Sequence, residues 1–193
     1  MSDKKRKKEI CTLPNLLSLF RLLLIPVYIK IYLNAEQDRD YILAGSILAI
    51  SCLTDLADGI IARQLHMISN VGKILDPLAD KLTQFFLLLS LAKKYAVLYP
   101  MTALFVVKEI FQLSAMVFFA HNGKVLSGAL TAGKVCTTVL FISLTALVLF
   151  PHLHYRFVCV LIAIDTALIV YSFYNYFQAY LGRNTKLTDF EPE

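Results

Sequence analysis

The chain has 193 residues, 58% of them hydrophobic and 17% charged, with a formal net charge of +5 and a mean hydropathy of +0.63. Soluble domains carry about 45 to 50% apolar residues, so this composition excludes an ordinary soluble enzyme and points to an integral membrane protein. About six spans of roughly 20 residues use up the length. The basic excess sits at span ends, as membrane topology places it, and nucleic acid is not an expected partner.

Residues 1–12 form a basic juxtamembrane segment carrying Lys4, Lys5, Arg6, Lys7 and Lys8. Such a run is a topology signal and attracts anionic lipid, at about 1 kcal/mol per residue near the surface. No small-residue cleavage pattern follows it, so a cleaved signal peptide is not expected. Six apolar runs come next, at about 13 to 34, 41 to 63, 74 to 98, 101 to 120, 130 to 150 and 155 to 181. Short connectors and the absence of a linker or repeat predict an all-α bundle of six transmembrane helices over 13–181, with a polar C-terminal tail over 182–193. Arg63, His66, Lys73, His121, Lys124, Arg183 and Lys186 fall on the side of the basic segment, which the positive-inside bias makes cytoplasmic. Glu36, Asp38, Arg39, Asp40, Lys93, Lys94, His152 and His154 fall on the other. Cys11, Cys52, Cys136 and Cys159 lack ligand-like spacing and read as small packing residues. The run from Tyr171 to Phe177 reads as an interfacial aromatic belt.

The second and third runs carry four aspartates that a bilayer does not tolerate without compensation. The sequence is Asp55-Leu-Ala-Asp58-Gly59-Ile-Ile-Ala62-Arg63, then eight residues, then Gly72-Lys-Ile-Leu-Asp76-Pro-Leu-Ala-Asp80. A buried carboxylate costs several kcal/mol unless paired, and four together repel one another. Positions 55, 58, 59, 62 and 63 make one helical stripe, and 76 and 80 lie one turn apart. The end of the second span and the start of the third therefore bring four carboxylates to one cytoplasmic-side volume. Gly59 and Ala62 leave that stripe bare for close approach of a flat or bulky group, and Arg63 offers a fork suited to phosphate oxygens. An all-oxygen donor set without nearby His or Cys suits Mg²⁺ or Mn²⁺, and two such ions suit phosphoryl transfer. The bland alternative pairs the aspartates with Arg63, Lys73 and Lys81 to hold helix ends together, but it leaves Gly59 and Ala62 without a purpose. A metal-binding transporter would spread its acidic residues through several spans near the midplane, whereas only Glu109 and Asp165 lie in later spans.

Asp55, Asp58, Gly59, Ala62, Arg63, Gly72, Asp76 and Asp80 resemble the complete signature of the CDP-alcohol phosphotransferases. Pro14-Asn15-Leu-Leu-Ser18-Leu-Phe-Arg21 and Asp76-Pro-Leu-Ala-Asp80-Lys81 are similar to its phosphatidylglycerophosphate synthase branch. The resemblance covers most of the chain, strongly over 12–84. It implies transfer of a phosphatidyl group from CDP-diacylglycerol to a small alcohol with release of CMP. It further implies that Asp55, Asp58, Asp76 and Asp80 hold two divalent ions and that Asp80 is the base on the acceptor hydroxyl. Asn15, Arg21, Asp58, Gly59, Ala62, Arg63 and Gly72 would hold the CDP-diacylglycerol. A homodimer in a bacterial plasma membrane, with the active site facing the cytoplasm, is implied too.

The acceptor this implies is glycerol 3-phosphate, giving phosphatidylglycerophosphate. Its dianion calls for cations, and Lys81, Lys108 and Lys134 are the candidates. An intramembrane lysine is a functional hypothesis by default, against which stand snorkelling and, for Lys108, pairing with Glu109. Phosphatidylglycerol (giving cardiolipin), serine or inositol phosphate would keep the chemistry and change the acceptor pocket.

Overall fold

Among the described residues six helices follow the six apolar runs: α1 (Leu13–Leu33), α2 (Asp38–Gln64), α3 (Gly72–Ala92), α4 (Leu98–His121), α5 (Thr131–Leu149) and α6 (Tyr155–Leu181). This computed structural model describes the backbone of residues 13–64, 72–122, 124–126, 130–181 and 187–189, and the side chains of residues 16–54, 78–122 and 130–181. The basic segment over 1–12 and much of the tail over 182–193 lie outside the described residues. Among the described residues four helices are long and apolar enough to cross a membrane: α1 over Leu16–Leu33, then α4, α5 and α6. The chain is a helical membrane protein.

Two short elements depart from the all-α expectation. Strand β1 (Lys124–Leu126) follows α4, and β2 (Leu187–Asp189) lies in the tail. They pair antiparallel, Lys124 opposite Asp189 and Leu126 opposite Leu187. Three residues are too few to show the alternation by which a strand is read from sequence. The third helix also ends earlier than its apolar run, because Lys93 and Lys94 are exposed just beyond it. The fourth starts at Leu98, which puts Pro100 in its first turn, where no backbone donor is needed.

The chain divides into two compact units, Met1–Leu91 with Thr145–His152, and Ala92–Leu144 with Leu153–Glu193. In the first, α1 packs along α2 and buries Ser18, Arg21, Ile25, Tyr28 and Tyr32. That alternation of three and four residues is one face of a helix. Tyr28 Oη lies 3.1 Å from Ser90 Oγ and Arg21 reaches Asp80, so advance along α1 matches advance along α3. The two helices run in the same direction, with α2 returning antiparallel between them in sequence. Gly45 of α2 lies against the end of α5: a Cβ there would meet Leu149 Cδ2 at 2.1 Å and Cγ at 2.9 Å.

Helix ends are closed by local side chains. Asn34 Nδ2 donates to Lys30 O at 2.7 Å. Asp40 accepts from the Gln37 and Glu36 amides at 3.0 Å each, the reach-back of an acidic residue in a first turn. Those two bonds, Gln37 first, hold the Asp40 carboxyl below the ordinary carboxylate range. Its capping contribution is therefore present above the ordinary carboxylate pKa and is lost as pH falls through the depressed value.

The second unit packs α4 on α6 through aromatic rings. Phe111 meets Phe173 with ring centroids 5.1 Å apart and Phe177 at 6.0 Å, and Phe119 stacks on Tyr180 at 5.4 Å. The predicted aromatic belt is thus divided: Tyr171, Tyr174 and Phe177 are exposed, whereas Tyr176 is buried, as is Tyr180 beyond the belt. Asp165, buried on α6, accepts a hydrogen bond from Ser143 of α5 at 3.1 Å. This gives it the polar partner within the bundle that a carboxylate at this depth requires.

Candidate active site

The signature lies on the two helices that the sequence assigned to it. Helix α2 is continuous through Gln64, so Asp55, Asp58, Gly59, Ala62 and Arg63 occupy its last three turns at helical spacing. Helix α3 begins at Gly72 and carries Asp76 and Asp80 one turn apart; Pro77 is its sixth residue, past the first turn, and cannot donate the i→i−4 bond to Lys73. The side chains of Asn15, Asp55, Asp58, Gly59, Ala62, Arg63, Gly72 and Asp76 lie outside the described residues. Among the described residues no group of three or more metal-ligating side chains gathers.

Asp80 and Arg21 are described, and they meet. Arg21 Nη1 donates to Asp80 Oδ1 at 2.5 Å, with the guanidinium side chain 3% exposed and the carboxylate 46% exposed. Charge-assisted bonds of this kind are short and directional. Position 21 falls on the buried stripe of α1, one turn from fully buried Ser18 and one turn from Ile25. The helix face therefore fixes where the guanidinium can be. Beneath it is a cavity of about 10 Å³, with Arg21, Tyr28, Ser51 and Thr83 as its polar walls, room for about one water. Lys81, next along α3, is half-buried and engaged in the local interactions.

Lys108 and Lys134 belong to the second unit and have different surroundings. Lys108 is 1% exposed; its Nζ lies 2.6 Å from Glu109 Oε1 and 5.9 Å from the Tyr176 ring centre. A carboxylate and an aromatic face together hold that ammonium. Lys134 is exposed in the first turn of α5. Its neighbour Gly133 lies against Tyr176: a Cβ there would stand 2.6 Å from the tyrosine oxygen and 2.9 Å from Cε2. Tyr176 thus touches both the Lys108 pair and the start of α5, a role hidden in sequence because it sits in a run of aromatics. Gly133→Ala is expected to cost about 1 to 3 kcal/mol, as overpacking of a buried ring does. Thermal unfolding in detergent checks this, and an unchanged midpoint would show that the ring yields freely.

Residues 11–172 match the CDP-alcohol phosphatidyltransferase family. A CDP-diacylglycerol–glycerol-3-phosphate 3-phosphatidyltransferase of Bacillus subtilis is 34% identical over 148 residues, 71% of this chain and 76% of that protein. One of the same name from Aquifex aeolicus is 44% identical over 77 residues, 40% of this chain and 41% of that protein. A cardiolipin synthase (CMP-forming) of Rattus norvegicus is 36% identical over 112 residues, 58% of this chain and 36% of that protein. The match thus spans about three quarters of the Bacillus protein, but well under half of each of the other two. With the two-helix placement of its signature and a family match over most of its length, the chain belongs to the CDP-alcohol phosphatidyltransferase family.

Proposed function

We propose that this protein transfers the phosphatidyl group of CDP-diacylglycerol to glycerol 3-phosphate, giving phosphatidylglycerophosphate and CMP. The observation that carries the reading is the placement of the whole signature on the end of α2 and the start of α3, in a chain similar over 71% of its length to a protein of that name from Bacillus subtilis. At 27 and 21 residues, α2 and α3 are about 40 and 31 Å long at 1.5 Å per residue. Both are long enough to cross the bilayer, which makes six spans. The positive-inside bias favours the cytoplasmic face for the signature, and the family resemblance supports a bacterial plasma membrane. The family resemblance supports a homodimer.

The donor set fits hard divalent cations. Asp55 and Asp58 on α2, and Asp76 and Asp80 on α3, supply only oxygens, and Asp80 is half-exposed beside the fixed Arg21. These four carboxylates would hold two Mg²⁺ or Mn²⁺ ions, whose chemistry is to polarise phosphoryl oxygens and to offset charge on the attacking and leaving oxygens. Gly59 and Ala62 leave room for the nucleotide against the α2 backbone, and Gly72 does the same at the start of α3. Arg63, with Asn15 from α1, binds the diphosphate. Asp80 takes the proton of the acceptor hydroxyl. A free aspartate has a pKa of about 3.9 and is a weak base for an alcohol, so the proton moves late, as the oxygen–phosphorus bond forms. That oxygen attacks the phosphorus bearing the diacylglycerol. The bond from this phosphorus to the bridging diphosphate oxygen breaks, and CMP leaves with that oxygen. No covalent enzyme intermediate is required.

Of the three candidate lysines, exposed Lys134 suits a soluble phosphate dianion better than Lys108, whose ammonium is already paired; Lys81 stands next to Asp80. Lys134→Met is expected to raise the apparent KM for glycerol 3-phosphate about tenfold, the loss of one charge-assisted contact, with kcat little changed. An unchanged KM would remove Lys134 from the acceptor site. The acceptor itself is tested by offering glycerol 3-phosphate, phosphatidylglycerol, serine and inositol phosphate separately and identifying the lipid product by mass. Product with glycerol 3-phosphate alone is expected; cardiolipin from phosphatidylglycerol would transfer the assignment to the other branch.

A further inference from the structure

Resting on that reading, we infer that Arg21 is a positioning residue for Asp80, acting on the acceptor half of the reaction rather than as a ligand of the nucleotide. Two observations carry this. The guanidinium is 3% exposed, enclosed on the buried stripe of α1, and its Nη1 donates to Asp80 Oδ1 at 2.5 Å. A phosphate entering from the aqueous side would meet the half-exposed carboxylate before it met this arginine. The second observation is rigidity. Arg21 stands between fully buried Ser18 and buried Ile25, and α1 and α3 are tied again at Tyr28 and Ser90. The arginine therefore has little freedom to leave Asp80.

The chemical consequence follows from the geometry. A half-exposed carboxylate on a helix samples several rotamers. An anchored planar donor on Oδ1 selects one of them and sets the direction in which the carboxylate can accept a proton. An acceptor hydroxyl must meet that carboxylate within hydrogen-bond reach, so the pairing governs turnover more than binding of the first substrate. Arginine suits this task better than lysine, because its rigid fork fixes an angle as well as a distance.

The test is a set of three variants of the full-length protein: Arg21→Lys, Asp80→Glu and the double change. Steady-state kinetics would vary CDP-diacylglycerol and glycerol 3-phosphate in turn, with equilibrium binding of CMP as a readout independent of turnover. Arg21→Lys is expected to lower kcat about 10 to 100-fold, the range for lost orientation of an acid or base, with the KM for CDP-diacylglycerol and the CMP affinity within about threefold. The longer carboxylate of Asp80→Glu should recover part of that loss when combined with the shorter lysine. A raised KM for CDP-diacylglycerol and weakened CMP binding at unchanged kcat would overturn the inference and make Arg21 a nucleotide ligand. Strictly multiplicative losses, or no change in kcat, would overturn it as well. If Arg21→Lys is not monodisperse in detergent, Arg21→Gln, shorter and uncharged but still a planar donor, takes its place, and the same outcomes decide. Absence of CMP release by the unaltered protein, by contrast, would remove the transferase reading itself.

Discussion

Asp58→Asn is expected to lower metal-dependent CMP release by on the order of 10³-fold while leaving the protein folded, with a thermal midpoint close to that of the unaltered chain, and Asp76→Asn to behave alike. Each change removes one anionic oxygen ligand and almost no volume. Apolar packing elsewhere on the two helices is expected to hold them without either carboxylate. Among the described residues of the first unit, Ile25, Tyr28, Tyr32, Leu48, Leu87 and Leu88 are buried at positions outside the signature. Loss of one ligand is expected to act on the transition state, where charge develops on the attacking and leaving oxygens, so kcat falls more than KM rises. Parallel measurement of CMP release and thermal unfolding checks both halves. Full activity in either variant would show that the carboxylates do not hold a catalytic cation.

Glu109→Ala is expected to destabilise the second unit by about 3 to 5 kcal/mol, the cost of leaving one partner of a buried ion pair alone. Lys108 is 1% and Glu109 8% exposed, and the ammonium lies 2.6 Å from the carboxylate. Tyr176, 5.9 Å away, offers a ring face worth about 0.5 to 2 kcal/mol to the cation, too little to replace the carboxylate. Lys108→Met with Glu109→Leu removes both charges and is expected to cost less than either single change, because neither charge is left buried alone. Thermal unfolding of the four proteins of this cycle in one detergent measures the coupling. Additive losses would mean that the pair contributes nothing beyond its separate members and would return Lys108 to consideration as an acceptor ligand.

The helices were legible because hydropathy writes them directly: each apolar run became a helix with ends within about three residues of the expected ones, save the third, which stops at Ala92 rather than near 98. The signature was legible because carboxylates at helical spacing in an apolar chain demand compensation. The ribbon of β1 with β2 was not, since Lys124–Leu126 and Leu187–Asp189 are short and their pairing spans most of the distance from α4 to the tail. The same limit hid the Arg21 to Asp80 pair, whose members lie 59 positions apart and read separately as a nucleotide ligand and a base. Tyr176 was hidden for another reason. Aromatics near a span end serve equally as an interfacial belt and as packing, and the structure assigns Tyr171 and Tyr174 to the exposed side but Tyr176 and Tyr180 to the buried one. Asp165 could be flagged as needing a partner, but Ser143 could not be picked from several hydroxyls in the preceding helix.

Release of CMP from CDP-diacylglycerol at a carboxylate site that depends on divalent metal is the activity expected of this chain. Purified protein in detergent, given CDP-diacylglycerol and glycerol 3-phosphate, tests it by the rate of CMP appearance with Mg²⁺ or Mn²⁺ and with a chelator present. Steady CMP release that requires both the metal and the acceptor, and that returns when metal is restored, is expected. CMP release at the same rate in the chelator, or none with any acceptor under either condition, would contradict it.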